Sequence, residues 1–254
     1  MASIKLKNIS KEFWKKSSDK KLNVLDNVSF EVKDGEFVTL FGPNGCGKTT
    51  LLYIIAGIED PSSGEVFIGG RNPGLSSVGF VFQNYNESML PWRTVEGNIR
   101  LGLEMLDLPE SERKRITDDI LKKAGLFERK DEYFYELSGG MKQLVAICRA
   151  FAFDPGILLM DEPFSSLDYS TSRKMGLELL EIWKEKKKTT LFVSHDIDEA
   201  IFLADRVMVL TKMPAKIKDV IEIDLPRPRK IDVISSKKFF MIRNKILGIS
   251  NYEQ

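Results

Sequence analysis

The sequence predicts an α/β fold with an antiparallel β-layer at its N-terminus and a helical subdomain inserted in its middle. Three observations carry this expectation. The run Gly42-Pro43-Asn44-Gly45-Cys46-Gly47-Lys48-Thr49-Thr50 follows the apolar stretch Phe37-Val38-Thr39-Leu40-Phe41 and precedes Leu51-Leu52-Tyr53-Ile54-Ile55-Ala56, so strand, glycine loop and helix come in that order. Upstream, apolar and polar side chains alternate in Ile4-Lys5-Leu6-Lys7 and Val28-Ser29-Phe30-Glu31-Val32, the period of a half-buried strand. From about residue 89 to 154 the spacing of apolar residues changes to three and four, the period of amphipathic helices.

The glycine run fits G-x-x-x-x-G-K-[ST], in which backbone N–H groups and the positive end of a helix dipole surround a phosphate. Lys48 then neutralises phosphate charge and the Thr49 hydroxyl reaches Mg²⁺. Glycine is required because side chains would bar the backbone from the phosphates. The expected core is therefore that of a P-loop NTPase.

A chain of 254 residues can bury about three quarters of its unfolded surface, enough for one α/β domain with a subdomain. Apolar residues at 43%, charged residues at 30% and a net charge of +1 describe a globular protein with no global attraction to nucleic acid or acidic lipid. No run approaches 18 consecutive apolar residues, and Met1-Ala2-Ser3-Ile4-Lys5-Leu6-Lys7 lacks the apolar core of a secretion signal, so the expected compartment is the cytoplasm. The two cysteines, Cys46 and Cys148, have no C-x-x-C spacing, which suggests neither a disulfide framework nor a zinc site. Cys46, near a helix N-terminus and Lys48, is expected to be a reactive thiol.

Taken in order, residues 1–41 read as an antiparallel layer with turn signals at Asp26-Asn27 and Asp34-Gly35, leading into the buried strand 37–41. Phe13 and Trp14 precede a polar loop, Lys15–Lys21; they are either core aromatics or rings that stack on a base. After the phosphate-loop helix, the turn Ile58–Gly64 leads to strands Glu65–Ile68 and Val78–Phe82, the latter ending on Gln83. A polar residue there is a candidate for holding metal or the attacking water, since open α/β sheets bind ligands at strand carboxyl ends. The helices Val95–Leu106, Ser111–Ala124 and Gly139–Phe153 follow. The last opens with Leu137-Ser138-Gly139-Gly140-Met141-Lys142-Gln143, which reads either as a Ser N-cap or as a second anion-binding helix start.

The sheet resumes with Ile157-Leu158-Leu159-Met160-Asp161-Glu162-Pro163, an apolar strand covered on both faces and ending in two carboxylates. Asp161 suits Mg²⁺ held through water and Glu162 suits a general base for the attacking water. Then come Ser165-Ser166-Leu167-Asp168, a helix from about Ser170 to Lys187, and the strand Thr190–Val193 ending in Ser194-His195-Asp196. His195, the single histidine, stands at a strand end beside the phosphate loop, where a γ-phosphate contact is expected. A short helix Asp198–Leu203, strands Arg206–Leu210 and Ile217–Ile223, an extended connector Pro226–Lys230 and a basic amphipathic helix Lys237–Ile249 complete the chain. That last helix is expected to pack on the domain rather than lie on a membrane surface.

Taken together, the phosphate loop 42–50, Gln83, Leu137–Gln143, Asp161-Glu162, Ser165–Asp168 and His195 resemble, in order, the nucleotide-binding subunit of ABC transporters over nearly the whole chain. The peptides Leu90–Val95, Ser194–Val207 and Ile223–Arg229 look like those of nitrate, sulfonate and taurine importers. Cys46 stands where serine is common, and Lys142 and Leu144 where arginines are frequent.

The resemblance implies an ATP hydrolase with ATP and Mg²⁺. Gly42 to Thr50 and Lys48 would hold the phosphates, and Thr49 and Gln83 the Mg²⁺ with Asp161 behind. Glu162 would activate water, and His195 would stabilise charge on the γ-phosphate. The base-stacking aromatic falls near Phe13, with Trp14 adjacent. Ser138, Gly139, Gly140 and Asp168 would serve the nucleotide, the first three reaching that of a second copy. Implied partners are that second subunit, transmembrane permeases met around Gln83–Trp92, and indirectly a solute-binding protein, at the cytoplasmic face of the membrane and without nucleic acid. A soluble ATPase of this type acting on DNA or the ribosome is the alternative; it would need a basic face, a coiled-coil insertion or duplicated domains. The implied division is one ABC ATPase domain over 1–254, with β-layer and core at 1–88 and 155–235, a helical subdomain at 89–154 and a C-terminal helix at 236–254.

Overall fold

The computed structural model describes residues 2–14, 20–70, 78–85 and 88–251. The loop expected at Lys15–Lys21 lies largely outside them, as do two residues between Gln83 and Pro91.

Among the described residues nine strands form two sheets. β1 (Ile4–Trp14) pairs antiparallel with β2 (Lys21–Val32) and with β4 (Ser63–Ile68), giving the order β2-β1-β4. The second sheet runs β5-β6-β7-β3-β8-β9. In it β5 (Val78–Val81), β6 (Ile157–Asp161), β7 (Thr189–Ser194), β3 (Phe37–Phe41) and β8 (Arg206–Leu210) are parallel. Only β9 (Ile217–Glu222), at the edge, is antiparallel. Every residue of β3, β6 and β7 is buried, the condition that their unbroken apolar runs require.

Because successive strand side chains point to opposite faces, the parallel sheet feeds two cores. Val38, Leu40, Ile157, Leu159, Leu191 and Val193 join Ile4, Leu6 and Val28 of the β-layer and Leu51, Leu52 and Ile55 of α1 (Lys48–Ala56). Phe37, Leu158, Met160, Phe192, Val207 and Val209 face the other way. There they meet α2 (Val95–Glu104), α3 (Glu110–Lys123), α4 (Gly139–Ala152), α5 (Tyr169–Lys186), α6 (Ile197–Leu203) and α7 (Lys237–Asn251). α7 buries Phe239 and Ile246 against this core, so its apolar side packs on the domain as expected.

One local expectation changes. Asp26-Asn27 is not a hairpin turn but a bulge inside β2, where Ile9 pairs with Val28 and Lys11 with Leu25. Asn27 takes φ 53°, a left-handed conformation that asparagine tolerates, and the strand continues past it. Pro226–Lys230 is a connector without regular secondary structure, as expected, and its arginines anchor it. Arg229 is 5% exposed and donates to the carbonyls of Ile201 and Phe202. Arg227 donates to Leu203 O and to Asp205. Two cations thus cap the carboxyl end of α6, where the helix dipole is negative.

Candidate active site

The carboxyl ends of β3, β5, β6 and β7 point the same way and carry Gly42, Gln83, Asp161-Glu162 and Ser194-His195 respectively. This is the edge at which open parallel sheets bind ligands. The loop after β3 reaches α1 through Gly45 and Gly47, at φ 75° and 112°. A side chain at Gly47 would be strained in conformation and would also put its Cβ 2.8 Å from Val24 Cγ1, so only glycine closes this turn. No side chain caps α1, and its first amides are available to an anion.

Lys48 is 4% exposed. Its ammonium donates to Gly42 O at 2.9 Å and Pro43 O at 3.1 Å and lies 3.3 Å from Glu162 Oε1. The other oxygen of Glu162 lies 2.9 Å from His195 Nδ1. Glu162 therefore bridges the phosphate-loop lysine and the histidine, joining three strand ends. Its backbone is left-handed, φ 42°, a conformation that costs a non-glycine residue about 1 kcal/mol or more and clusters at working sites; its N–H is anchored on Val193 O.

Asp161 is 2% exposed. Burial raises its pKa, opposed by a hydrogen bond from the Thr49 side chain and by the charge of Lys48. Its Oδ1 is buried without a partner, which marks a place for a ligand.

A cleft of about 510 Å³ opens between the loop and the β-layer, lined by Leu22, Val24, Gly45, Lys48, Thr49, Thr50, Gln83 and Glu162, with Asn44, Gly47 and Met213. Gln83 lies two residues past the end of β5, which stops at Val81, and is exposed. Phe13 pairs in register with Leu22, so both side chains occupy one sheet face, the one Leu22 presents to the cleft. Trp14, the next residue, belongs to the opposite face. Lys11 Nζ sits 4.8 Å from the Phe13 ring centroid.

The thiol of Cys46 departs from expectation. The residue is 2% exposed and belongs to the core beneath α1. Burial raises its pKa, and the Lys48 charge that would favour thiolate is the smaller influence. A neighbouring cation does not activate a sulfur that faces apolar side chains.

Ser138, Gly139 and Gly140 do not line the cleft. Ser138 caps α4 by accepting from Met141 N at 3.4 Å. Gly140 is pressed against α5, where an added Cβ would stand 2.8 Å from Thr171 Cγ2. Asp168 spends its carboxylate capping α5, accepting from Ser170 and Thr171 through both backbone and hydroxyl groups. The hydroxyl of Thr171, then that of Ser170, hold its pKa well below the usual range.

The residues that shape the Gln83–Trp92 region carry no sequence motif. Asn98, wholly buried, accepts from Leu90 N and donates to Leu90 O, Arg93 O and Thr94 O. Arg149 donates to Ser88 O. These contacts fix a loop that displays Trp92 at 70% exposure. Nearby, through the Thr94–Tyr133 bridge, exposed Tyr133 and Tyr135 stack at 5.5 Å. The sequence shows only an asparagine within one turn of a helix start, with nothing to mark it as buried.

Known proteins resemble this chain along its length. It is 47% identical over 249 residues to the uncharacterized ABC transporter ATP-binding protein MJ0412 of Methanocaldococcus jannaschii, covering 97% of this chain and 90% of that protein. It is 41% identical over 247 residues to the aliphatic sulfonates import ATP-binding protein SsuB of Bacillus anthracis, covering 96% and 94%. The dimeric structure of MJ0796, a bacterial ABC transporter cassette, superposes with a TM-score of 0.76 at 32% identity, covering 88% of this chain and all of that one. The sequence model of the ABC transporter family matches residues 25–165. The chain belongs to the ABC transporter family, as an ATPase cassette.

Proposed function

We propose that this chain is the ATP-binding subunit of an importer, hydrolysing ATP to drive solute uptake through partner permeases, with solutes of the nitrate, sulfonate and taurine type. The observation that carries the reading is Glu162 set between Lys48 and His195, 3.3 and 2.9 Å away, at the mouth of a glycine loop. Lys48 and the α1 amides bind the β- and γ-phosphates, and the loop 42–50 wraps them. Glu162 takes the proton of the attacking water, and His195 holds charge developing on the γ-phosphate. Phe13 offers its ring to the base from the cleft side of β1.

Mg²⁺ fits this chain. The unpartnered Oδ1 of Asp161, the Thr49 hydroxyl beside it and Gln83 form an oxygen-donor set suited to it. Bound, the ion would neutralise phosphate charge.

Because Ser138, Gly139 and Gly140 stand apart from the cleft, we assign them to the nucleotide of a second copy in a head-to-tail pair; Asp168, which opens α5, shapes that contact. The helices at 89–154 act as the arm that carries them, between core segments 1–88 and 155–235, with the C-terminal helix α7 closing the domain. The exposed Trp92 surface receives the permease, and a solute-binding protein acts beyond it. Attachment is read as peripheral, at the cytoplasmic face and through the permease; among the described residues no helix is long and apolar enough to cross a membrane.

Phosphate release from Mg-ATP by the purified chain tests the chemistry. Lys48→Ala should lose both nucleotide affinity and hydrolysis, since it removes the cation of the cradle. A Lys48→Ala protein that binds fluorescent ATP as tightly as wild type would place the site elsewhere.

A further inference from the structure

We propose that Glu199 is a positioning residue for His195, its carboxylate tying the first turn of α5 to the loop that carries the histidine. The inference rests on the reading of His195 as a γ-phosphate contact.

His195 needs such support. Its side chain is 45% exposed, so packing does little to aim the ring at Glu162. Besides the 2.9 Å contact with Glu162, what holds it is the backbone on either side. Ser194 ends β7, and its hydroxyl accepts from Asp196 N at 2.9 Å, clasping the residues before and after the histidine. That hydroxyl donates to Glu199 Oε2 at 2.8 Å. The other oxygen of Glu199 accepts from Ser172 Oγ. Ser172 is 8% exposed, and its N–H is bonded to Asp168 O. One continuous set of bonds therefore runs from the loop 165–168, through Ser172 and Glu199, to both flanks of His195.

A carboxylate is a costly choice here. Glu199 is desolvated, and burial raises its pKa against the two hydroxyl donors. The usual service of an acid in the first turn of α6 is already given by Asp198, and Asp196 caps the helix. Glu199 instead faces a cavity of about 180 Å³ whose wall also includes Glu162, Ser165, Leu167 and His195. Charged acceptors hold hydroxyl donors roughly twice as strongly as neutral ones, which suits a joint between two loops that must move together. In the proposed pair, the loop 165–168 is the natural sensor of the second copy, and Glu199 passes its position to the histidine.

Glu199→Gln and Glu199→Ala separate this from a structural role. The amide of Glu199→Gln can accept from Ser172 and donate to Ser194, whose own hydrogen has an alternative acceptor in Asp196 O at 3.3 Å. Glu199→Ala removes both bonds. Misplacement of a catalytic group costs roughly tenfold to a hundredfold. Single-turnover hydrolysis should fall by that factor in Glu199→Ala and by less than about threefold in Glu199→Gln, with fluorescent-ATP affinity unchanged in both.

The deciding comparison repeats Glu199→Ala in a His195→Ala background. There it should cost less than about twofold, because the group it positions is gone. An equal loss in both backgrounds, or no loss in either, overturns the proposal while leaving His195 in its role. A His195→Ala protein as fast as wild type overturns the underlying reading instead. Should Glu199→Ala not fold, Ser172→Ala, which cuts only the α5 side of the joint, carries the same comparison.

Discussion

Replacing Glu162 by glutamine changes one charge and no shape, and the structure separates its two consequences. The carboxylate lies 3.3 Å from the Lys48 ammonium, with side-chain exposures of 13% and 4%. Unit charges at that distance interact by about 5 kcal/mol at an effective dielectric near 20. Glutamine escapes the desolvation cost that the carboxylate bears, which cancels most of this, and Lys48 keeps its bonds to Gly42 O and Pro43 O. A net loss of about 1 kcal/mol is expected, read as a fall of roughly 2–4 °C in thermal midpoint without nucleotide. Hydrolysis responds on another scale, because loss of a general base costs typically 10²–10⁴-fold. Scanning calorimetry gives the first quantity and steady-state phosphate release the second, while equilibrium binding should show ATP still held. A variant keeping more than about a third of the wild-type rate would refute Glu162 as the base. A midpoint lower by about 10 °C would show that the charge pair holds the fold together rather than serving the chemistry.

Other expectations follow from burial and exposure. Trp92→Ala should change stability by less than about 0.5 kcal/mol, as expected of an exposed side chain, and leave solution ATPase intact while abolishing transport by the assembled importer; unfolding, or unimpaired transport, would remove Trp92 from the permease surface. Asn98→Ala should destabilise by about 2–4 kcal/mol in denaturant melts, because it strands the buried carbonyls and amide of the 90–94 loop; a neutral effect would mean that the loop is held by other contacts. A disulfide reagent at pH 8 should modify neither cysteine in the native protein and both in denaturant, since burial raises both thiol pKa values; rapid native labelling blocked by Mg-ATP would restore Cys46 as a reactive thiol.

What the sequence reveals of this fold is what neighbouring residues decide. The glycine spacing of 42–50, the apolar runs of β3, β6 and β7 and the acids that end β6 are local patterns, and each element appears within a residue or two of expectation. The site is legible to the same extent, because parallel strands deliver their carboxyl ends to one edge, so Lys48, Asp161, Glu162 and His195 converge once the topology holds. Contacts between distant segments are not legible. The Asp26-Asn27 signal is a local turn preference overridden by pairing with β1. Cys46 carries every local mark of an activated thiol, yet the core beneath α1 removes its water. Arg149, Arg229 and Glu199 bond to groups that only folding brings near, and no spacing rule announces them.

The central claim is that two copies close head to tail around ATP, each completing the other's site through Ser138, Gly139 and Gly140. Its most direct test is size-exclusion chromatography of Glu162→Gln with and without saturating ATP, since ligand bound only by the pair pulls association forward. A monomer is expected without nucleotide and a dimer with ATP. Ser138→Arg in the same background should stay monomeric, because a bulky cation blocks the start of α4. A Glu162→Gln protein that stays monomeric at saturating ATP, even with its permease present, would contradict the composite site.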